Sequence, residues 1–448
     1  MDNAEYRALV EDDLNHWVHP LFHPDFHQEP VLFERGEGVY IYGADGKRYI
    51  DGLAALWNVA VGHGREELGE AAKQQMSRLG FSNSYEGYTN EPAIRLAKKV
   101  IELAYDNMQA VYFTNSGSES NETNVKAARF YWIQKGRPEK QKIITRVEAY
   151  HGNTVAMTAA TGMQVFKPQF GRPVPDIINA TTPNAVPTGG GRIDSGNLMI
   201  DNIVATIEKE GPDSVAAVIA EPVQGAGGVY PPPDDYFPRL REVCDRYEVL
   251  LVVDEVITGF GRTGKWFALE HFDVEPDMMS IAKAITSGYV PMGAAVWSKE
   301  VHETITDGPG KFMHAYTNSG HATGAAVGLR NLQIFEDENL VANAAARGDQ
   351  LLSGLQRLTE NPHIGNVRGL GFMCGFDILK DPETDEAFPA EDAMGAKLLK
   401  ACQSRGLISR VRNDGYLLAP PLVATEEQVD EILTIVEDAV REVTSRLR

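Results

Sequence analysis

The run Leu250-Leu251-Val252-Val253-Asp254-Glu255 limits what this chain can fold into more than any other stretch. Four apolar residues ending in an acid, closed by Gly259, read as a strand buried on both faces, the pattern of a parallel sheet covered by helices. Asp254 then falls where such a strand ends and the crevice of an α/β sheet opens. A second apolar run, residues 277–282, ends at Lys283 and shares that edge if the two strands are parallel. One acid and one lysine are expected near a common centre.

A carboxylate able to pair with a cationic ring nitrogen and a lysine able to bond an aldehyde carbon are the two groups that a pyridoxal phosphate enzyme must supply. Two other readings fit part of the pattern. Gly259-Phe260-Gly261-Arg262-Thr263-Gly264 matches a dinucleotide-binding fingerprint, but residues 265–272 lack a helical period and no acid ends a strand about 20 residues later. An ordinary buried ion pair between Asp254 and Lys283 is the second. Taken together, Asp254-Glu255-Val256, the Gly-Phe-Gly-Arg-Thr-Gly run and Lys283 resemble the class III pyridoxal-phosphate aminotransferases, and the likeness extends over nearly the whole chain.

The resemblance implies an α/β, aspartate-aminotransferase-like fold (fold type I), with a mostly parallel central sheet in a large domain plus a smaller α+β domain. Residues 1–60 would be an N-terminal segment packing with the small domain and a partner subunit, 61–325 the large cofactor-binding domain, and 326–448 the C-terminal small domain. Composition agrees. The chain has 448 residues, 43% of them hydrophobic, ample for more than one domain. A formal net charge of −21 would repel phosphates and disfavours nucleic acid as a partner. Three cysteines, Cys244, Cys374 and Cys402, suit a reducing cytoplasm and offer no metal spacing. Residues 1–20 lack a signal-peptide core, and no apolar run is long enough to cross a bilayer, so no membrane partner and a cytoplasmic setting are expected.

Further local signals follow along the chain. His16, His19, His23 and His27 would share one face of a helix, but Pro20 and Pro24 break it, so a loop or extended segment with Trp17, Phe22 and Phe26 packed on the body or on a partner subunit is expected. Residues 39–51 alternate about Asp45-Gly46, a hairpin signal. Residues 110–114 read as a strand, followed by Asn115-Ser116-Gly117-Ser118 and a helix running to Gly136. That junction gathers free N–H groups and hydroxyls that suit a phosphate, although a plain N-cap cluster looks the same. Residues 215–220 are another buried strand, 187–197 a surface loop, and 325–337, 393–405 and 425–446 helices. The glycine-rich stretch 365–375 is expected to precede a strand.

By resemblance, Ser116, Gly117 and Ser118 form the phosphate cup, Tyr150 stacks on the pyridine ring beside His151, and Val256 packs under the opposite face. Glu221 lies near the lysine and Gln224 near the ring hydroxyl, while Tyr316 and Thr317 reach across a dimer towards the neighbour's phosphate. Phe22, Trp57, Tyr88, Tyr150 and Ala226 border the substrate. In the segment before Pro420-Pro421, Arg410 rather than Arg412 would be the mobile arginine that grips a carboxylate with two hydrogen bonds.

Arg129-Phe130-Tyr131-Trp132 with Gly136 and Lys140, together with Trp57 and the arginine segment, looks most like omega-amino-acid or amine:pyruvate transaminases. The implied reaction is ping-pong transfer of an amino group from an omega-amino acid or primary amine to a keto acid such as pyruvate, in a homodimer or dimer of dimers. Tyr85-Glu86-Gly87-Tyr88 departs from a pair of phenylalanines that shapes the small pocket in those relatives. Decarboxylation, racemisation and amino-group migration would share Lys283 and Asp254, and a non-enzymatic binding protein would need no covalent bond to the lysine.

Overall fold

The computed structural model describes residues 3–21, 30–180, 196–445 and 447. Residues Asn3–His16 form a helix for which no expectation was made, while residues 17–21 beyond it are non-helical as expected, with Trp17 62% exposed and not packed on the body. The helix stops before Pro20, so the proline ends it without preventing it. Phe22, His23, Phe26 and His27 lie outside the described residues, as does most of the expected 187–197 loop.

Three sheets follow. In the first, β1 (Phe33–Glu37), β2 (Tyr40–Gly43) and β3 (Arg48–Asp51) form an antiparallel meander. Its tight turn falls at Asp45-Gly46 as expected, with Gly46 at φ +79° and Asp45 Oδ1 accepting the Lys47 N–H at 3.0 Å.

The central sheet contains β4 (Met108–Thr114), β5 (Lys142–Arg146), β6 (Ile177–Ala180), β7 (Val215–Ala220), β8 (Leu250–Asp254), β9 (Met278–Ile281) and β10 (Gly293–Ser298), in the order β4-β10-β9-β8-β7-β5-β6. Strands β9, β8, β7, β5 and β6 are mutually parallel, and β10 is antiparallel to both its neighbours. Two reversals restore direction, so β4 runs with the parallel set. The carboxyl ends of β4, β5, β7, β8 and β9 therefore share one edge, where ligands bind in open α/β sheets. Every residue of β7 and β8 is buried, which is why both read as unbroken apolar runs. The pairing of Asp254 with Ser280 sets the acid and Lys283 at that edge.

Strands β11 (Ile364–Leu370), β12 (Met373–Ile378), β14 (Arg410–Arg412) and β15 (Gly415–Leu418) form the third sheet, order β11-β12-β15-β14, while β13 (Leu407–Ile408) crosses to pair in parallel with β3. Helices Leu340–Arg357, Met394–Ser404 and Glu426–Thr444 accompany it. The glycine-rich stretch 365–375 is itself a hairpin. An added Cβ at Gly369 would lie 2.7 Å from Met373 O, so glycine there permits close approach of backbones within a sheet.

The Gly259–Gly264 run does not open a helix. It turns, with Gly261 and Gly264 at φ +83° and +86°, and packs against the C-terminal part of the chain. The fully buried Arg262 donates from Nη1 to Pro420 O at 2.6 Å and, more weakly, to Phe372 O at 3.4 Å. Burial pulls its guanidinium down to about 9, against the opposing charge of Asp51. Cys244, Cys374 and Cys402 are free and buried. Loss of water pushes the first two thiols up to about 12 and the third to about 11.

Gly371, which turns the β11–β12 hairpin at φ +55°, would bring a Cβ to 2.3 Å from the Thr263 carbonyl carbon. Gly371→Ala is expected to cost at least about 2 kcal/mol. The check is a thermal melt, and an unshifted midpoint would show that the hairpin relaxes around the methyl group.

Candidate active site

The strand ends surround a cavity of about 320 Å³. That is at the small end of the range for ligand pockets, roughly 300–1,000 Å³. Asp254 closes β8 and is 4% exposed. Its Oδ2 accepts from Asn121 Nδ2 at 2.7 Å and His151 Nδ1 at 2.8 Å, and its Oδ1 from the Val256 N–H at 3.1 Å. A carboxylate taken out of water needs such donors, and here three of them fix its orientation. Asn121 also donates to His151 O at 2.9 Å, which joins the helix Gly117–Gln134 to the segment after β5.

Lys283 follows β9 with φ +45°, a left-handed backbone that a non-glycine residue holds only where its surroundings impose it. It lines the cavity, and its ammonium makes no hydrogen bond or ion pair among the described residues. Desolvation drives its ammonium down to about 8, against the attraction of Asp254 and Glu221 and with a further push from Arg410. Glu221, at the end of β7, is pushed up by burial. Its Oε1 accepts the Tyr150 N–H and its Oε2 the Gly225 N–H, both at 2.9 Å, so it braces the Tyr150 segment.

Ser116 caps the helix Gly117–Gln134, its Oγ accepting the Glu119 N–H at 3.2 Å. Such a first turn leaves backbone N–H groups pointing at the cavity edge, a setting that attracts an anion. Backbones close in here. A Cβ on Gly117 would meet Val256 Cγ1 at 2.8 Å, and one on Gly152 would meet Ser118 Oγ at 2.3 Å.

Of the residues expected from the sequence, Ser116, Gly117, Ser118, Tyr150, His151, Glu221, Asp254, Val256 and Lys283 line this one cavity. Gln224 does not line it. It is buried, and its Nε2 donates to Val147 O at 2.8 Å. Ala226 is buried, Tyr88 is 65% exposed and Thr317 is exposed. Tyr316 Oη reaches Glu119 O at 3.4 Å. Phe22 lies outside the described residues.

Trp57 is buried in a loop with φ +47° at Ala54, +57° at Ala55 and +54° at Trp57. Non-glycine residues in such regions cost on the order of 1–3 kcal/mol each. The Arg410 guanidinium carbon lies 5.7 Å from the Trp57 ring centroid. Arg410 has no carboxylate partner among the described residues, whereas Arg412 Nη2 is paired with Glu148 Oε2 at 2.7 Å.

Sequence reasoning missed Asn121, Asn58, Gly152 and Met292, all of which line the cavity. Asn121 had a usable signal: it follows Gly117 by one helical turn and so shares its face. Asn58 and Met292 lie on loops where no periodicity points inwards.

The donor set fits a phosphorylated, cationic heteroaromatic aldehyde. Among the described residues His151 Nε2 and Asn121 Oδ1 are buried without partners and the Lys283 ammonium is unpaired, and a helix start stands ready for an anion. The family model described as Aminotransferase class-III matches residues 22–440. The putrescine–pyruvate aminotransferase of Pseudomonas aeruginosa is 39% identical over 441 residues, covering 96% of this chain and 94% of its own. A thermostable (S)-enantioselective omega-transaminase from Thermomicrobium roseum has a TM-score of 0.94 at 43% identity, with 99% of each chain covered. The omega transaminase of Pseudomonas jessenii, solved in complex with PMP, has a TM-score of 0.92 at 37% identity over 98% of each chain.

With its pKa lowered to about 8, Lys283 becomes a neutral nucleophile as the pH rises through that value. In cofactor-free protein, its reaction with a small aldehyde, trapped by borohydride and located by peptide mass, is expected to rise with a midpoint near 8. A midpoint near the usual lysine value of about 10.4 would contradict the desolvation.

Proposed function

The chain belongs to the class-III aminotransferase family, and from that premise we propose that it moves an amino group from a primary amine or omega-amino acid to pyruvate or a similar keto acid. It is a pyridoxal-phosphate-dependent transaminase. Pyridoxal 5'-phosphate, when bound, supplies an electron sink for the charge left when the substrate carbon loses a proton.

The observation that carries the proposal is the sharing of one cavity by a triply anchored Asp254 and an unpaired, desolvated Lys283. Asp254 would hold the protonated ring nitrogen. Lys283 Nζ would bond the aldehyde carbon and, once displaced by the incoming amine, carry a proton at that end of the cavity. Ser116, Gly117 and Ser118 would hold the phosphate, and Tyr150 and Val256 would bracket the ring. Gln224, whose amide keeps a second N–H beside its bond to Val147 O, would serve the ring hydroxyl.

Arg410 would read the acceptor's carboxylate. Its guanidinium is free of ion pairs among the described residues and close enough to Tyr150 and Lys283 to bear on the charge of both. Arg412 is committed to Glu148. Trp57, Tyr88 and Ala226 would border the substrate.

A homodimer is part of the same reading, with Tyr316 and Thr317 serving the partner's phosphate. The exposure of Thr317 and of Met313, which is 86% exposed, supports it. A division of the chain into residues 1–60, 61–325 and 326–448 belongs to the same reading. Three buried, unpaired cysteines fit a cytoplasmic setting, and among the described residues no helix is long and apolar enough to cross a membrane.

The test is a panel of amine donors and keto acceptors read by product mass. Alanine formed from pyruvate, with the matching aldehyde or ketone, is the expected result. Loss of carbon dioxide, or an amino group moved within one molecule without alanine, would overturn the proposal. Truncating a charged partner typically costs roughly 2–5 kcal/mol. A partly solvated arginine belongs at the low end, so Arg410→Ala is expected to raise KM for pyruvate at least about tenfold. The half-reaction of a simple aryl amine should change little. Equal losses for both substrates would mark a structural role, and a pyruvate-selective loss in Arg412→Ala alone would identify Arg412 as the reader.

A further inference from the structure

Asp51 ends β3, is 1% exposed and does not line the cavity. Its Oδ1 accepts the Leu53 N–H at 3.2 Å, and its Oδ2 accepts the Ala55 N–H at 2.6 Å and a hydrogen from His63 Nε2 at 2.8 Å. The two backbone donors flank Ala54, and Ala55 adopts φ 57° with ψ −71°, close to the rare γ-turn with positive φ. Strained backbone persists only where its surroundings over-determine it. Here the carboxylate holds two N–H groups that this conformation turns towards it.

His63 is itself fixed. It forms an antiparallel bridge with Gly38, the Gly38 N–H donating to His63 O at 3.0 Å and the His63 N–H to Gly38 O at 2.8 Å. Gly36 packs so closely that an added Cβ would lie 2.5 Å from His63 Cβ. The N-terminal sheet thus holds His63, His63 holds Asp51, and Asp51 holds the turn. The turn continues into Trp57, whose N–H donates to Leu53 O at 2.7 Å, and into Asn58, which lines the cavity.

We propose that Asp51 and His63 are positioning residues that set the Trp57 wall and thereby the size of amine the enzyme accepts. The proposal rests on the reading of Trp57 as a substrate-pocket wall. Trp57 is 2% exposed and, unlike Asn58, does not line the cavity; a relaxed turn lets its indole shift in that packing, which changes the room for bulky donors and loosens the fit for small ones.

The experiment compares kcat/KM for a bulky aryl-alkyl amine with that for a small alkyl amine, at saturating pyruvate, in purified holoenzyme. His63→Ala and Asp51→Asn are each expected to shift the ratio at least about fivefold towards the bulky amine, the size of effect that pocket contacts command. His63→Gln, whose amide can still donate to Asp51, should bring the ratio back to within about twofold of the parent. If both amines lose efficiency together in His63→Ala and Asp51→Asn, leaving the ratio unchanged, the pair is merely structural and the proposal falls. Failure of His63→Gln to restore the ratio also overturns it, because the effect then does not run through the hydrogen bond. Should Asp51→Asn fail to fold, the two His63 variants decide alone. Trp57→Leu separates the layers. If it leaves the ratio at the parent value, the wall reading falls and takes the proposal with it. If it moves the ratio while the His63 and Asp51 variants do not, only the proposal falls.

Discussion

A carboxylate at the end of a buried strand is stable only where protein donors replace the water it gives up, and much of this molecule is arranged around meeting that demand for Asp254. One donor comes from the helix after β4, one from the segment after β5, and the third from the chain just beyond Asp254 itself. Because Asn121 also binds His151 O, the donors hold one another as well as the acid. Each requires its strand to reach the same edge, which the shared direction of β4, β5, β7, β8 and β9 provides. Lys283 depends on the same arrangement. Its ammonium makes no hydrogen bond among the described residues, and its lowered basicity follows from burial away from water.

What could be read in the sequence divides along physical lines. β8 and β9 were legible because complete burial imposes unbroken apolar runs, and the polar residues that end them, Asp254 and Lys283, stand out against that background. The hairpin at Asp45-Gly46 was legible because few residues adopt its turn. The helix Asn3–His16 was not: its apolar residues, Leu9, Val10 and Leu14 among them, gather into no marked apolar face, and the prolines beyond it drew attention to where a helix could not continue. Asn121 and Asn58 were missed because asparagine signals turns and caps as readily as ligands. The stretch 365–375 was expected only to precede a strand, whereas its glycines serve within a hairpin, Gly371 at the turn and Gly369 where the strands come close.

The Gly-Phe-Gly-Arg-Thr-Gly run shows how one pattern can serve two physics. In a dinucleotide site the glycines would admit a pyrophosphate. Here they admit other parts of the same chain: a Cβ on Gly264 would lie 2.9 Å from Ala345 Cβ. Arg262, at the centre of the run, spends its charge on the backbone carbonyl of Pro420, without an ion pair among the described residues. The motif thereby ties the strand that ends in Asp254 to the segment that follows Arg410.

The three thiols have a meaning that packing alone does not exhaust. A transaminase releases an aldehyde or ketone at every turnover, and aldehydes add reversibly to thiolates. Cys244 and Cys374, pushed up to about 12, and Cys402, pushed up to about 11, stay protonated and out of reach. Soft nucleophiles are masked while one amine is exposed to the cavity. The protein is thus chemoselective towards itself, and its products meet no thiolate among the residues lining the cavity.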